Sequence, residues 1–175
     1  MNQANIDKKE RAVSCIIPAY NEASRISNVL DVVIRHPLIK EVIVINDGST
    51  DSTSQVLNKF TDIKIVDHFS NLGKSRSVLD GIKMSSGDVI LFLDADLVGL
   101  QMEDITKLIE PVLYNNADVT ISLRKNAPLY TRVIGLDYIS GDRVIKKEWL
   151  GDFEELSKIS GWGLESAYFN KKIIN

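Results

Sequence analysis

Val89-Ile90-Leu91-Phe92-Leu93-Asp94-Ala95-Asp96 is a continuous apolar run closed by two carboxylates one residue apart. Gly87 stands just ahead of it, and a short bounded run of this kind predicts a strand covered on both faces. Continued past its end, the alternation of a strand sets Asp94 and Asp96 on one face, at the lip of a sheet. Two crowded anions in such a place call for a divalent cation with oxygen ligands, which makes Asp94 and Asp96 the candidate metal ligands.

Outward from this stretch, strand and helix signals alternate. Val13 to Pro18 predicts a first buried strand, and Ile26, Val29, Leu30, Val33 and Ile34 form a helical stripe that Pro37 ends. Val42 to Ile45 predicts a second strand. Asp47-Gly48-Ser49-Thr50-Asp51-Ser52 follows as a turn rich in helix N-caps, ahead of a helix facing inward through Val56, Leu57 and Phe60. Ile63 to Val66 predicts a third strand. Asn71-Leu72-Gly73 breaks the chain before a helix from Lys74 to about Ser85. Ile105, Leu108, Ile109 and Val112 mark a further helix, and Val119 to Leu123 a further strand. The alternation predicts an α/β fold: an open, mostly parallel sheet with helices on both faces. Such sheets bind ligands outside the carboxyl ends of their strands. Pro18-Ala19-Tyr20-Asn21-Glu22, Asp47-Gly48-Ser49 and Asp94-Ala95-Asp96 each follow a strand, so all three are expected at that edge. The chain has no G-x-G-x-x-G and no Walker motif, which argues against dinucleotide and P-loop chemistry.

The composition bounds the rest. With 44% hydrophobic and 26% charged residues, the 175-residue chain reads as an ordinary globular protein able to bury one core. A net charge of -3 argues against nucleic acid as a partner. Cys15 is the single cysteine, so no intrachain disulfide is available, and its apolar strand predicts a buried side chain rather than a nucleophile. No apolar run reaches transmembrane length and no signal peptide is evident, so a cytoplasmic protein is expected. Residues 1–12 read as a polar arm and 13–175 as a single domain.

Four ordered motifs carry a family resemblance: Ile16-Ile17-Pro18-Ala19-Tyr20-Asn21-Glu22, Val44-Ile45-Asn46-Asp47-Gly48-Ser49-Thr50-Asp51, Asn71-Leu72-Gly73-Lys74 and Leu93-Asp94-Ala95-Asp96. Together they resemble the nucleotide-binding half of family 2 glycosyltransferases with the GT-A fold, most of all the small members that glycosylate polyprenyl phosphates. The resemblance implies a nucleotide-diphosphate sugar (UDP- or GDP-sugar) lying across the sheet edge. Pro18, Ala19, Tyr20 and Glu22 would line the base and ribose pocket, and Asp47 would bond the base. Gly73 and Lys74 would lie near the base or diphosphate. Asp94 and Ala95 would reach the ribose or metal-bound water, with Asp96 holding Mg2+ or Mn2+ against the diphosphate. A cation held there neutralises charge growing on the departing diphosphate. The acceptor would be a hydroxyl or a lipid phosphate, and the anomeric centre would be inverted.

Further along, Ser140-Gly141-Asp142-Arg143 resembles the family's S-G-x-R segment, and Gly161-Trp162-Gly163-Leu164-Glu165 its G-[YFW]-G-x-E segment. The resemblance makes Arg143 a phosphate ligand and Glu165 a general base or acceptor-orienting carboxylate. On residue type alone, Arg143 with Lys146 and Lys147 also reads as a solvated basic face, and Glu165 as a structural acid at a helix start. Trp162 reads equally as core or as a sugar-stacking wall. Leu97-Val98-Gly99-Leu100-Gln101 lacks the H-P-P run of many dolichol-phosphate mannose synthases. Family members commonly continue beyond the equivalent of Asn175, so a domain shortened at its C-terminus is expected. Peripheral contact with the inner face of a membrane and an oligomeric state both fit the resemblance. His36 and His68 stand outside any metal-binding pattern and are expected in surface or loop positions; Tyr130, Tyr138 and Trp149 are expected to pack. Two other functions fit the residues: a non-catalytic nucleotide-sugar-binding or assembly subunit, and a nucleotidyltransferase, which would want a Gly-rich basic loop that the N-terminus lacks.

Overall fold

The apolar runs become the strands of one sheet: β1 (Val13–Ala19), β2 (Ile39–Asn46), β3 (Lys64–Asp67), β4 (Val89–Phe92), β5 (Val119–Ile121) and β6 (Arg143–Lys146). A computed structural model describes residues 11–122 and 142–150. The expectations for Tyr130, Tyr138, Ser140, Gly141, Trp162 and its neighbours, Glu165 and most of the N-terminal arm lie outside those residues. The strand order is β3-β2-β1-β4-β6-β5. β3, β2, β1 and β4 are mutually parallel, whereas β6 runs antiparallel to both β4 and β5. The sheet is thus mostly parallel, as expected, with one reversed strand that the hydrophobic pattern did not reveal. Arg-Val-Ile-Lys is too short and too polar at its ends to stand out as a strand, and neighbouring strands supply its partners.

Helices cover both faces, which is why the parallel strands need apolar side chains on each side. α1 (Ile26–Val33) and α4 (Met102–Leu113) lay Val29, Leu30, Val33, Ile105, Ile109 and Val112 on a face formed by Cys15, Ile17, Val42, Val44 and Leu91. α3 (Lys74–Met84) covers the opposite face, with Ile82 packed among Ile16, Ile90, Phe92 and Ile145. It lies so close that a methyl group at Gly81 would strike the Ile16 side chain. α2 (Thr53–Leu57) is shorter than the expected helix, ending before Phe60. Cys15 is fully buried, and burial raises its thiol pKa, assisted by the nearby Asp142 carboxylate.

Two expectations change. His36 lies in the loop after α1, one of the two positions expected of it, but is 2% exposed rather than superficial. Its Nδ1 accepts the Leu38 N–H at 3.3 Å, so Nε2 carries the proton toward Thr106 Oγ1 at 3.0 Å and Met102 O at 3.2 Å. Burial lowers its pKa, and the neutral ring ties the end of α1 to the start of α4. Nor do Lys146 and Lys147 form a solvated face. Lys146 is nearly buried against Asp118, and Lys147 donates to the Ser85 carbonyl at 2.6 Å.

At the amino end of the sheet, Glu41 gathers three segments. Its carboxylate accepts from Ser14 Oγ at 2.6 Å, Ser86 N–H at 2.6 Å, Ser86 Oγ at 2.8 Å and Lys64 Nζ at 2.6 Å. Burial opposes the charge, but these donors outweigh it and hold the carboxyl at about 2 against an ordinary 4.5. A depressed carboxyl pKa adds stability that is complete above the unfolded value and disappears as pH falls through the folded one. Urea unfolding across a pH series should therefore find Glu41→Gln most destabilising above pH 4.5, with the gap to wild type closing toward pH 2. A gap that did not vary with pH would show that the charge contributes nothing.

Candidate functional site

Because β1 to β4 are parallel, the loops that leave their carboxyl ends meet along one edge. The loop after β1 and the loop after β2 are laced together by side chains. Asn21, at φ 57°, accepts the Thr50 N–H at 2.8 Å through its Oδ1. The Asn21 N–H donates to Ser49 Oγ at 3.0 Å, and the Glu22 N–H to Thr53 Oγ1 at 2.9 Å. Asp51 completes the lacing, and the Thr53 hydroxyl and amide beside it hold its carboxyl below the usual range. Asparagine tolerates the left-handed backbone that this turn requires. Within this frame Pro18 is half-buried in β1, Ala19 is buried and Tyr20 is 44% exposed. Glu22 is held by Arg25, at 2.7 Å.

Asp47 behaves differently from its neighbours. It is 3% exposed, and both of its oxygens are engaged. Oδ1 accepts from His68 Nδ1 at 2.6 Å and from the Leu72 N–H at 2.9 Å, and Oδ2 from the Gly73 N–H at 2.8 Å. The carboxylate at the end of β2 thereby fixes the segment that opens α3. Gly48 makes the approach feasible. Its φ is 67°, and a Cβ there would lie 2.6 Å from the Asn71 nitrogen and the Ser70 Cα.

From Gly73, at φ 90°, the chain enters α3 and Lys74 reaches across to Asp94, with Nζ 2.6 Å from Oδ1. Asp94 and Asp96 lie in the turn beyond β4 rather than in the strand, so strand alternation no longer governs them. The Asp94 side chain is 16% exposed beside Lys74, whereas Asp96 is 51% exposed with its Oδ2 3.9 Å from an Arg25 nitrogen. Ala95 between them is buried in the core. Each acid of the pair faces a cationic side chain, one from α3 and one from the start of α1 on the opposite face of the sheet. Arg143 opens β6 directly opposite Phe92, at the same edge, and the Asp94 N–H donates to Asp142 Oδ1 at 3.2 Å.

The structure therefore gathers Tyr20, Glu22, Asp47, Gly73, Lys74, Asp94, Asp96 and Arg143 along one edge; Glu165 lies outside the described residues. Arg25, Asp142 and His68 also belong to this edge, and sequence reasoning missed them. Arg25 had a signal in its i,i+3 spacing from Glu22. Asp142 and His68 had none, since their partners are 48 and 21 residues away. Asp94 and Asp96 offer the hard oxygen donors that Mg2+ or Mn2+ prefers. Among the described residues no third His, Cys, Asp or Glu completes a cation site.

The glycosyl transferase family 2 model matches residues 14–163. The chain belongs to that family. Two family 2 relatives in staphylococci share a third or more of the aligned residues. The poly-beta-1,6-N-acetyl-D-glucosamine synthase of Staphylococcus epidermidis is 37% identical over 91 residues, covering 49% of this chain and 22% of that protein. The 4,4'-diaponeurosporenoate glycosyltransferase of Staphylococcus aureus is 36% identical over 103 residues, covering 57% and 28%. The chain thus spans about a quarter of the length of these curated relatives. In fold it is similar to glucosyl-3-phosphoglycerate synthase of Mycobacterium tuberculosis, solved with Mn2+, uridine diphosphate and phosphoglyceric acid. That structure has a TM-score of 0.76 at 22% identity and covers 94% of this chain and 66% of its own. The sheet and its helices are the GT-A fold expected of family 2.

Gly48→Ala should cost at least about 1–3 kcal/mol, because strain at positive φ is joined by collision of the new Cβ with the Ser70 and Asn71 backbone. It should also loosen the Leu72–Gly73 segment, which amide hydrogen exchange would register as faster exchange there than in β1. Uniform acceleration across the sheet would deny Gly48 this local role.

Proposed function

We propose that this chain is the donor-binding domain of a metal-dependent, inverting glycosyltransferase that moves a sugar from a UDP-sugar to a hydroxyl or lipid-phosphate acceptor. The observation that carries the reading is the Lys74–Asp94 pair, 2.6 Å apart at the carboxyl edge, beside Asp96 and Arg25. Each carboxylate rests against a side-chain cation that a metal–diphosphate complex can replace. A bound diphosphate would then meet Lys74 and Arg25 beside the pair, with Arg25 still held by Glu22. The amino end of α3, beginning at Lys74, adds a favourable field for the same anion.

In this reading Asp94 and Asp96 hold the cation, which when bound offsets the charge on the departing diphosphate. The loop that the buried Asp47 holds takes the base end, so Asp47 would act there by positioning rather than by bonding the base, and Tyr20 and Glu22 flank the ribose. Arg143 takes a phosphate of the donor or of the acceptor. Glu165 serves as the base for a hydroxyl acceptor; a phosphate acceptor needs none, since its second ionisation lies near neutrality. The uridine preference draws on the fold relative crystallised with uridine diphosphate. No helix among the described residues is long and apolar enough to cross a membrane. Contact with a membrane, through the lipid part of a lipid-phosphate acceptor, belongs to the same reading.

Thermal denaturation with UDP- and GDP-sugars, with Mn2+ or Mg2+ and with chelator, tests the donor site. A ligand at 100 times its Kd should stabilise the fold by about 2.7 kcal/mol. Asp96→Asn should abolish the metal-dependent part of that shift while leaving the unliganded melting temperature within a degree or two, as expected for a half-exposed side chain. An undiminished shift would remove Asp96 from the metal site. Donor binding without sugar transfer or hydrolysis would reassign the chain as a binding subunit.

A further inference from the structure

His68 follows β3, and its imidazole is 7% exposed, wedged between the end of β2 and α3. Asp47 Oδ1 can only accept at this contact, so the proton on the 2.6 Å bond sits on His68 Nδ1. On the far side of the ring, Nε2 is buried and makes no hydrogen bond, although Asp80 Oδ2 lies 3.3 Å away. Asp80 is already engaged by Arg76 at 2.6 Å and by Lys83 at 3.6 Å. The imidazole therefore directs its one good hydrogen bond at Asp47 and presents its other edge to a carboxylate committed elsewhere. Of the three donors on Asp47, the two amides belong to the loop that Asp47 holds; His68 alone is a side chain reaching it from β3.

We propose that His68 is a positioning residue for the donor site: it orients the Asp47 carboxylate, and through it fixes the Leu72–Gly73 hinge from which Lys74 reaches Asp94. The chain of contacts is continuous. His68 holds Asp47, Asp47 holds the Leu72 and Gly73 amides, and Lys74 next in sequence bonds Asp94. With no donor at Nδ1 the buried Asp47 carboxylate must turn to recover a third hydrogen bond, and the two amides lose their fixed acceptor. The proposal rests on the reading that a nucleotide sugar binds at this edge, but its structural half can be measured without any ligand.

Three substitutions separate the roles. His68→Asn keeps a donor close to where Nδ1 stood, His68→Gln moves it toward the Nε2 side, and His68→Phe removes it. Amide exchange at Leu72 and Gly73 in the unliganded protein should accelerate about tenfold in the Phe and Gln variants and stay near wild type in the Asn variant. UDP binding with Mn2+, by titration calorimetry, should weaken about tenfold in the same order. Unchanged exchange in His68→Phe would overturn the proposal. So would equal losses in the Asn and Phe variants that track melting temperature, because that pattern marks a packing residue only. If the exchange pattern holds while wild type binds no UDP, His68 still positions the hinge and the donor reading alone falls.

Discussion

A carboxylate taken out of water must replace its lost hydration with donors, or give up its charge. Asp47 meets this demand with one imidazole and two backbone amides, and most of the edge described above follows from that arrangement. Its donors come from the end of β3 and the start of α3, so a single buried group at the tip of β2 sets where the next helix begins. Gly48 supplies the clearance, since any side chain there would collide with the incoming backbone. The loop is held from within, by an anion, rather than by apolar packing. Phe69 and Leu72, its two large apolar side chains, are both exposed.

The same economy recurs around the acidic pair. Asp94 and Asp96 stand past the last residue of β4, where the ladder no longer dictates direction, and each turns toward a cationic side chain. Like charges so placed are costly to hold alone. Lys74 and Arg25 lower that cost in the unliganded protein and bring positive charge to the place where a diphosphate would need it. At the opposite end of the sheet Glu41 ties β1, β3 and the turn after α3 with hydrogen bonds of 2.6 to 2.8 Å. The amino end is thus closed by a saturated carboxylate, whereas at the carboxyl end the buried Asp47 stands beside the more exposed Asp94 and Asp96.

Much of the architecture was legible because parallel strands buried on both faces write themselves as apolar runs; β1, β2 and β4 are of that kind. β6 was illegible for the converse reason. Its four residues take their identity as a strand from β4 and β5 and carry little pattern of their own. The motif residues could be assigned to one edge because topology alone puts loops after parallel strands together. Roles that depend on distant partners could not. Nothing local distinguishes His36, which spans to α4, or His68, which faces Asp47, from any loop histidine. His36 keeps the expected loop position yet leaves the surface, because a neutral ring with both nitrogens satisfied can be buried at little cost.

The reversed strand also decides which residues reach the acidic pair. β5 runs with β4, so it ends at the carboxyl edge, and antiparallel β6 starts there; the Ser122 N–H donates to the Asp142 carbonyl at 3.0 Å. Asp142 and Arg143 thus come to that edge from the beginning of a strand, where the parallel strands bring residues from their ends. At its other end β6 passes into Lys147, which donates to the Ser85 carbonyl near the amino end of the sheet. One strand of four residues therefore spans the sheet from the acidic pair to its closed end. A slip of one residue in its register would turn Arg143 to the other face and disturb both ends together.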